Sequence, residues 1–245
     1  MPTPALTRRH LIAGAAASAG TAALARTSPA LAAGAPVHPD DLDPHWAQDW
    51  IRACYDLSWR EGPSPTQAAR CYAYVALAMY EACVADSPRS RSLGGQLTDL
   101  PALPAAPRGP LDHPAALAGA AHTVARHVYA GAAAERLDLL DALLDAHVAE
   151  RRTAGAPPAR LLRSVEHGRR VGRALSSWIA TDGHAGTVGR AYTPPTGESR
   201  WVSTPPNYRQ AVEPYWSEVR PLVMRSAGEV SPVPHLPFST DEGSP

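Results

Sequence analysis

"SPTQAARCYAYVALAMYEAC", residues Ser64 to Cys83, holds no charge between Arg70 and Glu81. A surface helix needs a polar side, so a segment this apolar around most of its circumference belongs at the centre of a helical bundle. Ser64-Pro65 reads as the start of that helix. The serine hydroxyl can accept from a first-turn amide, and proline tolerates a position where an amide hydrogen has no intrahelical partner. The apolar run "CYAYVALAMY" is far short of the roughly 20 residues that span a bilayer.

On either side of this stretch the apolar residues recur at helical spacing. Trp46, Trp50, Cys54 and Leu57 predict a helix after Pro44 that runs to about Arg60 and is ended by "EGPSP". From Ser87 to His113 the chain is rich in Pro, Gly and Ser, which predicts a long surface connection. Leu117, Ala121, Val124 and Val128 then predict a third helix, punctuated by Gly131. Leu137, Leu140, Leu144 and Val148 predict a fourth, stopped by Gly155-Ala156-Pro157-Pro158. Leu161, Val165, Leu175 and Ile179 predict a fifth, with Gly168 and Gly172 on the same face to allow close helix approach. After Asp182-Gly183 the prolines forbid a long helix or a central strand. The expected fold is an all-α bundle of about five helices over residues 33–185, with a proline-rich extended segment over 186–245 that connects or docks.

Hydrophobic residues make up 44% of the chain and charged residues 19%, a globular composition able to bury a core. The formal net charge is zero, so no global field draws the chain to nucleic acid or to an anionic membrane. All 23 basic residues are Arg and none is Lys, which excludes any mechanism that needs a lysine nucleophile, base or phosphate clamp. Cys54, Cys71 and Cys83 form no close metal-type pair and are an odd number for a disulfide framework. They are expected as small buried hydrophobes.

Residues 1–32 read as an address. Thr7-Arg8-Arg9-His10-Leu11 precedes an Ala- and Gly-rich apolar run, and Ala30 to Ala32 supply small residues for signal peptidase. This is the pattern of a twin-arginine export signal read through Arg8 and Arg9. It implies a protein that folds before export and works in the periplasm or outside the cell, with no membrane span once the signal is removed.

Candidate chemistry is thin. Glu135, Asp138, Asp141 and Asp145 mark one side of the fourth helix, but with no Glu-x-x-His partner they read as a solvated acidic face. His122 and His127 are five apart and point to different sides of a helix, so no helical zinc motif forms. Arg160, Arg163, His167 and Arg170 share a face of the fifth helix, with Arg151, Arg152, Arg169 and Arg173 nearby, and read as a solvated or partner-facing basic stripe. "GHAGTVG" follows a helix rather than a strand, so it is a helix end and not a phosphate loop. No catalytic, metal or cofactor-binding residue is assigned.

One stretch fits none of these readings. "EPYWSEVRPLVMRS", Glu213 to Ser226, sets Tyr215, Trp216 and Leu222 among prolines that hold the backbone extended. These are the contacts of a docking segment.

The stretches "SPTQAARCYAYVALAMYEACVA", "ALSSWIATDGH", "YTPPTGESRWVSTPPNYRQAVEPYWSEVRPLVMRS" and "PFSTD" occur in this order in the N-terminal half of bacterial vanadium-dependent haloperoxidases, of the type 2 phosphatidic-acid-phosphatase superfamily. The chain resembles them from about Trp46 to Asp241. The resemblance implies an all-α protein of two helical halves, in which the region of Trp216, Arg220 and Pro221 braces one half against the other. Tyr215, Trp216, Arg220 and Leu222 are therefore the expected half-to-half docking residues. The family binds vanadate, or phosphate in its phosphatases, through a Lys and an Arg in one motif, a Pro-Ser-Gly-His segment, and a distal Arg and His. Here there is no Lys and no Ser-Gly-His, so no catalytic residue carries over and no cofactor is expected in this chain. The resemblance leaves three expectations. The chain is the N-terminal half of an exported haloperoxidase-like protein, truncated or separately encoded from a catalytic half and inactive alone. Alternatively its parent is an acid phosphatase of the same superfamily, or it is a non-catalytic helical interaction module. Self-association through the docking segment is a further expectation.

Overall fold

Helices form where the apolar spacing places them: α1 at His45–Glu61, α2 at Pro65–Cys83, α3 at His113–Val128, α4 at Ala134–Thr153 and α5 at Pro158–Ile179. A single turn, α6, follows at His184–Thr187. The computed structural model describes residues 36–197, 200–234, 236 and 239–243, and these contain no strand. Arg8 and Arg9 lie outside the described residues.

The α2 start is a reciprocal capping box. The Ser64 hydroxyl accepts from the Gln67 amide at 3.3 Å, and the Gln67 side chain accepts from the Ser64 amide at 3.2 Å. At the other end of the preceding loop, α1 stops at Gly62, whose φ of +69° suits a residue without Cβ.

Both α2 and α3 are interior, but α3 rather than α2 is the central helix, because it alone among the long helices packs on each of the other four. Every residue from His113 to Ala121 is buried. The reason is size: "AALAGAA" presents almost no side chain, so neighbouring backbones close in. A Cβ on Gly168 of α5 would sit 2.0 Å from the Ala116 carbonyl oxygen, and one on Gly119 would sit 2.5 Å from that of Val165. Gly168 and Gly172 do bring α5 against α3, and Gly119 answers from the other side.

Two sequence expectations need correction. The connection between α2 and α3 is not simply a surface loop: Leu100 and Leu111 are buried, and Leu93, Leu97 and Leu103 pack on the core. Buried Glu81 holds its start by accepting from the Leu93 amide at 2.6 Å and the Ser92 hydroxyl at 2.8 Å. Nor is Arg151 part of a solvated stripe. It is buried against fully buried Asp112, with guanidinium-to-carboxylate distances of 2.9 to 3.1 Å. Asp112 also caps α3 by accepting from the Ala115 amide, and its own amide donates to Ser164 of α5. One residue thus ties three helices: its carboxylate joins α3 to α4, and its amide reaches α5.

Candidate functional site

The segment from Tyr215 to Met224 lies along α2 and the end of α5, and its attachment begins with the main chain. The Arg220 amide donates to the Asp182 carbonyl at 2.8 Å, and the Leu222 carbonyl accepts from the Thr98 amide at 2.9 Å. The Thr98 hydroxyl donates to the Met224 carbonyl at 3.1 Å. Extended backbone rich in proline has free carbonyls and no helix of its own, so such bonds are the natural way to seat it.

Side chains then fix the register. Arg220 donates to the Trp178 carbonyl at 2.7 Å and to the Thr181 hydroxyl at 3.1 Å, and its guanidinium carbon lies 4.5 Å from the centroid of the Trp178 ring. Val219 is buried, and Leu222 packs on the main core. Glu213 accepts from the Ser64 hydroxyl at 3.0 Å, which joins the segment to the α2 cap. Tyr215 donates to the Ala191 carbonyl, and Arg190 covers its ring while pairing with Glu218. Trp216 meets the edge of His184 at 6.2 Å between centroids. Both Tyr215 and Trp216 stay half-buried.

The hub beneath is Asp182, which is buried. Its carboxylate accepts from Arg70 Nε at 2.6 Å, from the Tyr74 hydroxyl at 2.7 Å and from the His184 amide at 3.0 Å. Burial alone would raise its pKa, but the hydrogen bonds from Arg70, His184 and Tyr74 together hold it below the ordinary value of 3.8. Gly183 turns the chain away at φ +89°, where a Cβ would also come within 2.9 Å of the Glu218 carbonyl oxygen. Between α2 and the segment remains a cleft of about 360 Å³, mostly apolar, walled by Ala69, Ala73, Tyr74, Trp216, Pro221 and Leu222, with Arg70 and Arg220 at its polar edge.

Sequence reasoning singled out Tyr215, Trp216, Arg220 and Leu222 but missed Arg70, Tyr74 and Asp182, the cluster that lies beneath the segment. A signal existed: Arg70 is the last charge before an apolar helix, and a buried guanidinium needs a carboxylate.

The other candidates do not converge. Glu135, Asp138 and Asp145 are exposed, while Asp141 pairs with His122 and Arg126 at 2.6 and 2.8 Å. Cys54, Cys71 and Cys83 are buried free thiols, and burial pushes Cys54 and Cys83 up to about 12, which leaves them inert. His167 is buried and Arg173 pairs with Glu166, so the Arg- and His-bearing face of α5 is only partly solvated. Among the described residues no group of three His, Cys, Asp or Glu is placed to hold a metal ion, and no helix is long and apolar enough to cross a membrane.

No family model and no curated protein matches this chain. Among solved structures it is similar to a bacterial vanadium-dependent iodoperoxidase, with a TM-score of 0.72 and 26% sequence identity. The likeness covers 82% of this chain and 48% of that one, so this chain spans about half the length of the iodoperoxidase. Five helices in that arrangement, over most of the sequence, make this a haloperoxidase-like fold.

Proposed function

We propose that this chain is the N-terminal helical half of an exported haloperoxidase-like protein, a scaffold that seats a catalytic half rather than a catalyst in itself. The observation that carries the reading is the 48% coverage of the iodoperoxidase by a chain with no lysine.

The residues here do not fit a bound vanadate. Holding a multiply charged oxyanion takes several cations with no carboxylate of their own. Arg70 is neutralised by Asp182 and Arg151 by Asp112, while Arg220 is spent on carbonyls of α5 and its end. The chain's contribution is mechanical: the cleft beside Trp216 and Leu222 offers an apolar slot with a polar edge to the second half. Export through Arg8 and Arg9 would place the assembled protein in the periplasm or outside the cell.

Halide oxidation by peroxide, measured with added vanadate, tests the reading. The chain alone should show no turnover, and turnover should appear on pairing with a half that carries the Lys-Arg and Ser-Gly-His motifs. Pairing should weaken at least tenfold in Trp216→Ala, as loss of a buried aromatic anchor does. Vanadate-dependent turnover by the chain alone would overturn the proposal.

A further inference from the structure

Helix α1 turns Trp46, Trp50, Cys54 and Leu57 inward, yet its exposed side carries two large aromatics among its polar residues. Tyr55 is 55% exposed and Trp59 80%, and with Ile51 they form a stripe at four-residue spacing. A shallow, open groove between side chains of α1 runs beside Tyr55, lined also by Ala47, Gln48, Ile51 and Arg52. Trp59 lies just past its end. Arg52 and Asp56 flank the stripe on one side, are exposed, and have no ion pair among the described residues.

We propose that this stripe is a self-pairing face, on which two copies of the chain dock with their α1 helices antiparallel about a two-fold axis at the level of Cys54. The charges select this arrangement. In an antiparallel pair related by a two-fold axis, equal flanks meet, so an axis midway between Arg52 and Asp56 sets each Arg52 against Asp56 of the second copy, twice over. A parallel pair about a two-fold axis sets unlike flanks together, so Arg52 and Asp56 of the two copies would not meet. The same register has a second consequence that the charges do not impose. Trp59, five residues beyond Cys54, comes level with Asp49 of the second copy, between Gln48 and Arg52, which is the position of the groove. The large exposed side chain and the shallow groove therefore meet in the register that also pairs the charges.

An α1 of 17 residues is about 25 Å long, so the contact is smaller than a standard interface and the dimer should be weak, about micromolar. Sedimentation velocity of the full chain at rising concentration tests it. The wild type should pass from monomer to dimer. Arg52→Glu and Asp56→Arg should each weaken the dimer about tenfold or more, since each sets like charges opposite one another. The double variant Arg52→Glu with Asp56→Arg should restore it, because the two-fold axis brings the exchanged charges together again. Both positions are on the surface, and unchanged far-UV circular dichroism excludes unfolding as the cause. A wild type that stays monomeric, an association indifferent to the single substitutions, or a double variant that fails to recover would overturn the proposal. So would protection of Trp59 that appears only on adding a second catalytic half, since the face would then belong to that partner.

Discussion

Replacing Gly168 by Ala tests the reason the central helices sit so close. The added methyl would lie 2.0 Å from the Ala116 carbonyl oxygen and 2.8 Å from the Ala120 nitrogen. A close carbon-to-oxygen contact is about 3.3 Å, so the shortfall is about 1.3 Å. Both neighbours are backbone atoms of α3 and cannot swing aside, which leaves separation of α5 from α3 as the only relief. A gap of about 0.5–1 Å forfeits a quarter to a half of the dispersion energy of each contact it opens, and the seam runs from Ala116 to Thr123. Overpacking of this kind typically costs about 1–3 kcal/mol and occasionally more, while Gly→Ala in a helix returns about 1 kcal/mol of propensity. A net loss of about 2 kcal/mol, the upper end of that difference, is expected because both clashing neighbours are backbone. Urea unfolding followed by circular dichroism should show a lower midpoint with an unchanged slope. Gly186→Ala, where the added methyl meets nothing within 4 Å, is the control and should be near neutral. A Gly168→Ala protein as stable as the wild type would refute the close-packing argument.

Acid should weaken the fold. Burial lowers the pKa values of His113, His147 and His167 below 6.5, so their neutral forms are favoured on folding. The unfolded chain then binds more protons, and stability present above about pH 6.5 should be lost as pH falls through the folded-state values. Asp182, lowered from 3.8, adds a further loss below pH 4. Urea midpoints measured from pH 8 downward check the trend, and a flat profile would contradict it. Arg151→Met should cost about 3–5 kcal/mol by stranding the buried Asp112 carboxylate, read from the same unfolding curves. Arg8→Lys with Arg9→Lys should block export in a fractionation assay, and normal export would remove the signal assignment.

The helices were legible because each carries its apolar residues at a period of 3.6, and the Ser64 cap because its chemistry is local. The glycine seam was half legible. Gly168 and Gly172 sit a turn apart on one face, but their partner Gly119 is hidden in an alanine run with no periodic contrast. The buried ion pairs were not legible. Arg151 follows two exposed residues and precedes another, and nothing in "VAERRT" distinguishes it from Arg152. Only the return of Asp112 from far along the chain decides which of the two is buried. The same holds for the docking stretch. Its aromatics and prolines announce contact, but that Arg220 and Leu222 are seated by Asp182 and Thr98 of this same chain depends on pairings between residues far apart in sequence.

Those pairings set an order of events during folding. The segment's anchors lie at Ser64, Thr98, Trp178 and Asp182, contributed by α2, the loop after it and the end of α5. Such contacts cannot reward the closing of long loops until the helices that carry them have met. The Tyr215–Met224 segment therefore seats only after α2, its following loop and the end of α5 have come together, and its seating reports that this contact has formed.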